Sequence, residues 1–191
     1  RSPRVFQKRA SVHKLDTAVH ILLDSSGSMH GESIKLAVQA CYAVGKALEH
    51  LSGISLGITS FPAYREGKIG VFPLVRHGQK MTDRMQLQAH GGTPLAEALW
   101  WVMRQMLILK ENRKVVLILT DGVPDDVTQC LQALEALRKT GMEVYGIGMK
   151  FDCISSLLPD TSSRVISRFE ELSPALFEVL QHALLRETRY D

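Results

Sequence analysis

The feature that most constrains the fold is an alternation of strand-like and helix-like segments along the chain. Thr17 to Leu23 is a largely apolar run between Asp16 and Asp24, which is typical of a central strand in a parallel sheet. The apolar positions that follow, from Ile34 to Leu51, step by three and four. They predict one buried stripe of a long amphipathic helix that ends before Gly53. This order of elements indicates an α/β protein.

The rest of the chain continues this alternation. Further strands are predicted at residues 54–61, 69–75, 115–119, 143–149 and 165–166, and further helices after Thr93, at 127–137 and after Pro174. Thr93 is predicted as an N-cap, with Pro94 as the first helical residue. The connection at 64–67 is too short for a crossover, so the strands around it should pair antiparallel, with Pro73 at the sheet edge. We therefore predict a doubly wound, mostly parallel six-stranded sheet with one antiparallel edge strand and helices on both faces.

Charge is concentrated at the amino-terminal end. Residues 1–15 carry five basic side chains and no acidic one, while the other residues hold 18 basic and 20 acidic side chains. We interpret residues 1–15 as a basic linker or arm, 16–187 as one globular domain and 188–191 as a tail. The chain begins at Arg1, and we expect it to be part of a longer protein.

The cysteines and the apolar runs bear on location. Cys41, Cys130 and Cys153 are odd in number and lack paired spacing, which favours a reducing, cytoplasmic setting. No apolar run approaches the roughly 20 residues of a membrane span, so no membrane contact is expected. Cys41 and Cys130 fall on predicted helix stripes and His20 falls inside the first strand, so these three are predicted as core residues.

Oxygen-bearing side chains recur where predicted strands end and helices begin. Asp24, Ser26 and Ser28 alternate directly after the first strand, Thr93 follows two glycines, and Asp121 follows the strand at 115–119. Because ligands of open parallel sheets bind outside the carboxyl ends of the strands, we expect these side chains to converge. Their oxygens suit a hard cation such as Mg²⁺ or Mn²⁺. Two carboxylates are too few to enclose the ion, which favours a binding module over an enzyme.

These residues resemble, in order and local context, the metal-ion-dependent adhesion site of von Willebrand factor A domains, through Asp24-x-Ser26-x-Ser28, a distant Thr93, and Asp121-Gly122. The resemblance covers about residues 16–187. It implies direct coordination by the hydroxyls of Ser26 and Ser28. Thr93 would coordinate directly when the site is engaged and through water otherwise. Asp24 and Asp121 would balance the charge, partly through bridging waters, and a partner carboxylate would complete the coordination.

Two short segments are similar to a narrower group, the carboxy-terminal domain of bacterial cobalt-chelatase T-subunit-like proteins. They are Val5 to Arg9 and Asp121 to Asp126. This similarity implies a bacterial, cytoplasmic domain that acts beside a hexameric ring ATPase, in metal chelation or in chaperone-like remodelling. The ATPase would be another chain, and it is the expected partner that supplies an acidic residue to the metal.

Four more residues are candidates for partner contact, and each has a structural alternative. Asp125 and Asp126 are predicted to cap the helix at 127–137, where acidic groups favour the helix dipole. Trp100 and Trp101 occupy successive helix positions, so they cannot face the core equally, and one of them is a candidate interface residue.

Catalysis finds little support in the sequence. There is no Gly-x4-Gly-Lys-Ser/Thr loop, no Gly-x-Ser-x-Gly elbow and no His/Cys cluster with zinc spacing. A Mg²⁺-dependent phosphohydrolase that uses Asp24 or Asp121 as its base is one alternative function. A nucleic-acid binder that uses residues 1–15 is another, although the remaining sequence shows no basic face or aromatic stacking platform.

Overall fold

The structure, a computed structural model, describes residues 15–65, 68–83, 85–150 and 152–185. The predicted basic arm up to residue 14, with its segment Val5 to Arg9, and the tail 188–191 lie outside the described residues. The alternative that depends on the basic arm therefore remains a prediction.

Strands and helices alternate as predicted. In chain order the elements are β1 (Thr17–Asp24), α1 (Glu32–Leu48), β2 (Ile54–Arg65), β3 (Lys68–Val75), α2 (Leu95–Leu107), β4 (Arg113–Thr120), α3 (Val127–Lys139), β5 (Glu143–Met149), β6 (Ser163–Ile166) and α4 (Leu172–Leu185), with short 3-10 turns at Gly27–Met29 and Phe169–Glu171. The strands form one six-stranded sheet in the order β3-β2-β1-β4-β5-β6. Among the strands in the described residues, only the β2–β3 pair is antiparallel, so the predicted doubly wound sheet with an antiparallel edge strand is confirmed.

The sheet is covered on both faces. Helices α1 and α4 pack on one face and α2 and α3 on the other. Strand β1 lies at the centre, and all eight of its residues are buried. Val19, Ile21 and Leu23 point to the α1–α4 side, while Ala18 and Leu22 point to the α2–α3 side. Burial on both faces explains why this strand has a continuous apolar run and not a period of two.

Three of the element boundaries that differ from the sequence prediction have a direct structural cause. Helix α1 ends at Leu48, and Leu51 is 43% exposed because the chain has already turned toward Gly53, which has φ +84°. Strand β2 continues to Arg65 because its pairing with β3 extends beyond the end of β1. Helix α4 begins at Leu172, so Pro174 lies in its first turn, where a missing N–H costs nothing.

The predicted core residues are buried. Cys41 and Cys130 are fully enclosed, and Cys153 is also buried; all three thiols are unpaired. His20 is enclosed in β1 and hydrogen-bonds through both ring nitrogens, to Thr59 Oγ1 at 2.9 Å and to His77 Nε2 at 3.0 Å. None of the helices in the described part of the chain has the length and apolar character that a membrane span needs.

Candidate metal centre

Three loops meet at the carboxyl edge of the parallel strands. Strands β1 and β4 are neighbours and end at the same level, so the loops that begin at Ser25 and Asp121 lie side by side. The third loop precedes α2 and is fastened to the first by two backbone hydrogen bonds. Gly27 N donates to Gly91 O at 2.9 Å, and His90 N donates to Ser25 O at 2.9 Å. The topology thus brings together the three segments that the sequence pattern singled out.

The hydroxyls of Ser26 and Ser28 face each other and a carboxylate. Their Oγ atoms are 3.0 Å apart, and Ser28 Oγ donates to Asp121 Oδ1 at 2.5 Å. The intervening Ser25 turns the opposite way, and its Oγ donates to the carbonyl of Pro62 at 3.3 Å. The local alternation therefore separates two site hydroxyls from a third that belongs to the scaffold.

Thr93 completes the cluster from the third loop. A Cβ atom placed on Gly122 would lie 3.2 Å from Thr93 Oγ1 and 3.6 Å from Ser28 Oγ. Both hydroxyls therefore border the space beside Gly122, and a glycine at this position leaves that space open. Thr93 is buried, whereas Ser28 is exposed, so the cluster opens to solvent on the Ser28 side.

Thr93 is not the N-cap of α2, contrary to the prediction. The N-cap position falls on Pro94, and the carbonyl of Thr93 accepts a hydrogen bond from Leu95 N at 2.8 Å. The reason is a distant contact: Thr93 N donates to Asp125 Oδ1 at 2.9 Å, and Asp125 N donates to Thr93 O at 3.0 Å. This exchange fixes the Thr93 backbone, and the hydroxyl faces Gly122 instead of capping the helix.

The two aspartates before α3 have different roles. Asp126 caps the helix as predicted, because its side chain accepts a hydrogen bond from Gln129 N at 2.9 Å. Asp125 does not cap α3, since its carboxylate bonds the Thr93 backbone instead. Gly92 makes room for this contact, as a Cβ there would lie 2.8 Å from Asp125 Oδ2. Sequence reasoning missed this positioning role, and the only signal for it was the Gly91-Gly92 pair before Thr93.

Asp24 is a fully buried carboxylate at the base of the site. Both of its carboxylate oxygens accept hydrogen bonds, one from Ser26 N at 2.7 Å and the other from Thr120 Oγ1 at 2.6 Å. Burial raises the pKa of Asp24 to about 6, the hydrogen bonds from Thr120 and Ser26 lower it, and the neighbouring Asp121 raises it. A cation beside this carboxyl would act in the opposite direction to burial, because it favours the charged form.

The donor set fits a hard divalent cation. Adjacent oxygens around an octahedral ion with bonds of ~2.1 Å are about 3 Å apart, which matches the spacing of Ser26 Oγ and Ser28 Oγ. The set combines three hydroxyls with the carboxylates of Asp24 and Asp121, all of them oxygen ligands. In residues 15–65, 68–83, 85–150 and 152–185, no group of three or more His, Cys, Asp and Glu side chains is arranged to hold a metal, and the candidate centre itself has two such side chains, Asp24 and Asp121.

The two tryptophans lie in the body of α2. Both are half-buried and pack against the core between the sheet and α2–α3. The Trp101 ring meets the His20 ring edge-on, with centroids 5.9 Å apart. His20 precedes Asp24 by four residues along β1, so Trp101 is set back from the three loops.

Solved structures with similar folds come from several organisms. Proximal thread matrix protein 1 from the mussel byssus, with a zinc-occupied MIDAS motif, is 16% identical with a TM-score of 0.73; the match covers 90% of this chain and 46% of that one. The pilus adhesin SpaC from Lactobacillus rhamnosus GG is 13% identical with a TM-score of 0.74, covering 89% and 30%. Manganese-loaded TRAP protein from Plasmodium vivax is 15% identical with a TM-score of 0.62, covering 85% and 72%.

These likenesses establish the fold. The chain spans less than half the length of the mussel protein and under a third of the pilus adhesin, at 46% and 30%. No curated protein sequence matches the chain. Residues 18–170, which include all three loops of the carboxyl edge, match the family described as von Willebrand factor type A domain. This match covers most of the 191 residues, and the chain therefore belongs to the von Willebrand factor type A domain family.

Proposed function

We propose that this domain binds a protein partner by presenting a divalent cation to an acidic side chain of that partner. The observation that carries the proposal is the pair of hydroxyls from Ser28 and Thr93 that borders the open space beside Gly122, with Ser26 Oγ 3.0 Å from Ser28 Oγ. Neutral hydroxyl ligands leave positive charge on the ion. The exposed position of Ser28 gives a carboxylate of another molecule access to it.

The cation that we propose is Mg²⁺ or Mn²⁺. The donors are all oxygens, which suit these ions and leave coordination positions for water or for a partner. The similar folds carry different ions: the mussel protein has zinc in its MIDAS motif, and the Plasmodium protein is manganese-loaded. Ser26, Ser28 and Thr93 would hold the ion, and Asp24 and Asp121 would balance its charge.

We propose that the domain is not an enzyme. A phosphohydrolase would need a carboxylate free to activate water. Both oxygens of Asp24 accept hydrogen bonds from the protein, and Asp121 Oδ1 accepts one from Ser28 at 2.5 Å. Metal-dependent hydrolysis of a phosphoester that Asp121→Asn abolishes would overturn this part of the proposal.

For the partner we propose a ring ATPase in a bacterial cytoplasmic complex, such as a cobalt chelatase or a related remodelling system. This rests on the similarity of Asp121 to Asp126 to the chelatase T-subunit-like domains. The three unpaired, buried cysteines are compatible with a reducing compartment.

A matched set of serine variants tests the metal site. Calorimetric titration with MnCl₂ should give weaker binding for Ser26→Ala and Ser28→Ala than for the wild type. Ser25→Ala, which removes a hydroxyl bonded to Pro62 O, should bind like the wild type. Binding of an aspartate-containing peptide should then require the metal in the wild type and disappear in chelator. Equal MnCl₂ affinity in all four proteins would overturn the proposed site.

A further inference from the structure

Lys150 holds an unusual backbone conformation at the edge of the sheet that carries the metal loops. Its φ is +68°, and no other non-glycine residue in the described ranges has a positive φ. A lysine pays a steric cost in this left-handed region that a glycine would not. The conformation is fixed by Lys150 N, which donates to Ile166 O at 2.8 Å. Strained residues of this kind are often kept for what the side chain does.

The ammonium group of Lys150 has two contacts within the domain. Nζ lies 4.8 Å from the centroid of the Phe169 ring and donates to Ser33 Oγ at 3.3 Å. Ser33 and Phe169 are both buried, so packing fixes their positions. Among the described residues, no carboxylate lies within ion-pair distance of this Nζ. An ammonium has three donors, and the hydrogen bond to Ser33 uses one of them.

Lys150 follows β5, the strand that pairs with the one leading to Gly122. Thr120 on β4 pairs with Gly148 on β5, so Lys150 is as far beyond this pair on β5 as Gly122 is on β4. Adjacent strands are about 4.8 Å apart, so the carboxyl ends of β4 and β5, from which Gly122 and Lys150 follow, lie side by side at this edge. Two nearby acidic side chains are engaged elsewhere: Glu32 pairs with Lys35, and Asp152 accepts from Ser155 N.

We infer that Lys150 is a second anchor for the partner, and that the domain recognises a protein segment with two acidic residues. One carboxylate would meet the cation beside Gly122, and the other would meet the ammonium of Lys150. An extended segment advances about 3.3 Å per residue, so the spacing of the two acids that binds most tightly reports the distance between the two anchors. This inference rests on the proposed function, because it needs the metal as the first anchor.

Short capped peptides test the second anchor. One carries a single aspartate in a glycine background, and the others carry two aspartates separated by one, two or three glycines. With ¹⁵N-labelled wild-type domain in saturating MgCl₂ at low salt, the best diacidic peptide should bind about two- to five-fold more tightly than the monoacidic one. Lys150→Gly, which suits the left-handed backbone, should remove this advantage and leave the monoacidic peptide unaffected.

Controls separate this inference from the proposed function. Lys150→Arg keeps the charge and should keep most of the advantage. Lys139→Ala removes an exposed lysine of α3 that pairs with Glu135. This variant should bind the diacidic peptide more tightly than the monoacidic one to the same extent as the wild type. The second anchor is overturned if the wild type binds the diacidic and monoacidic peptides equally tightly, or if Lys150→Gly still binds the diacidic peptide more tightly. Either result leaves metal-dependent binding of the monoacidic peptide standing. Binding of the monoacidic peptide that chelator does not weaken, or no binding of any peptide, overturns the proposed function as well.

Discussion

Asp125 and Thr93 exchange two hydrogen bonds across 32 residues of sequence, with Asp125 Oδ1 accepting from Thr93 N at 2.9 Å and Thr93 O accepting from Asp125 N at 3.0 Å. This pair joins the loop after β4 to the loop before α2. The Thr93 hydroxyl therefore depends, for its direction, on a side chain that does not belong to the oxygen cluster itself.

Loss of the Asp125 carboxylate should weaken metal binding without unfolding the domain. In Asp125→Ala the Thr93 N–H loses its acceptor, and the hydroxyl is no longer held toward Gly122. We expect the affinity for MnCl₂ to fall about ten-fold, as is usual when a group that orients a ligand is removed. Calorimetry measures this change.

Asp126→Ala is the matched control for that variant. It removes the helix cap that accepts from Gln129 N, so it should cost about 1 kcal/mol of unfolding free energy and leave the metal affinity unchanged. If the two variants have the same MnCl₂ affinity, the positioning role of Asp125 is wrong.

Gly122 should not tolerate a side chain if the metal lies beside it. The Cβ of Gly122→Ala would lie 3.2 Å from Thr93 Oγ1 and 3.6 Å from Ser28 Oγ, inside the space that the cation needs. We expect MnCl₂ affinity to fall by about ten-fold or more, with little change in urea unfolding. Gly70→Ala on the edge strand, whose Cβ would meet only Ala63 O at 3.9 Å, should leave the affinity intact. Wild-type affinity in Gly122→Ala would place the ion elsewhere.

The sequence predicts those parts of the fold and site that depend on local pattern. Strand β1 is recognisable because burial on both faces imposes a continuous apolar run. The position of Asp24, Ser26 and Ser28 directly after β1 predicts that they lie at the carboxyl edge of the sheet, although Ser28 faces Ser26 through a 3-10 turn and not through extended chain. The order of strands and helices then predicts that Thr93 and Asp121 reach the same edge.

What the sequence does not show are contacts between distant segments. The N-cap of α2 is Pro94 and not the predicted Thr93, because Asp125 hydrogen-bonds the Thr93 backbone. No local propensity encodes that bond. The extra length of β2 depends on its pairing with β3. The left-handed backbone of Lys150 is held by Ile166 O from the neighbouring strand, and a lysine gives no hint of it.

Acid should destabilise the domain through His20. Burial first, and then the neighbouring His77, lower the pKa of His20 from 6.5 to about 3. Between these values the unfolded chain binds a proton that the folded protein excludes. The contribution of His20 to the free energy of unfolding is therefore fully present above pH 6.5. It falls as pH decreases, at up to about 1.4 kcal/mol per pH unit.

Urea unfolding at pH 8, 6.5 and 5 in chelator measures this loss. His50→Gln, on the exposed turn after α1, should retain the wild-type pH dependence, whereas His20→Gln should lose less stability than the wild type on acidification. Equal pH dependence in the wild type and His20→Gln between pH 6.5 and 5 contradicts this explanation. Asp24, whose raised pKa acts in the opposite direction over this range, is present in both proteins and cancels in the comparison.

Mg²⁺ should stabilise the folded domain more at pH 7.5 than at pH 5. Burial raises the pKa of Asp24 from 3.8 to about 6, so the metal-free folded protein loses stability as pH rises between these values. A cation beside the ionised carboxyl relieves this loss, while at pH 5 it must first displace a proton. At ten times its Kd a ligand adds about 1.4 kcal/mol to the free energy of unfolding.

The difference in urea midpoint between 10 mM MgCl₂ and chelator, taken at both pH values, measures the effect. Asp24→Asn should reduce the difference between the two pH values, and Ser25→Ala should preserve it. Equal stabilisation of the wild type at pH 5 and pH 7.5 would show that the ion does not interact with Asp24.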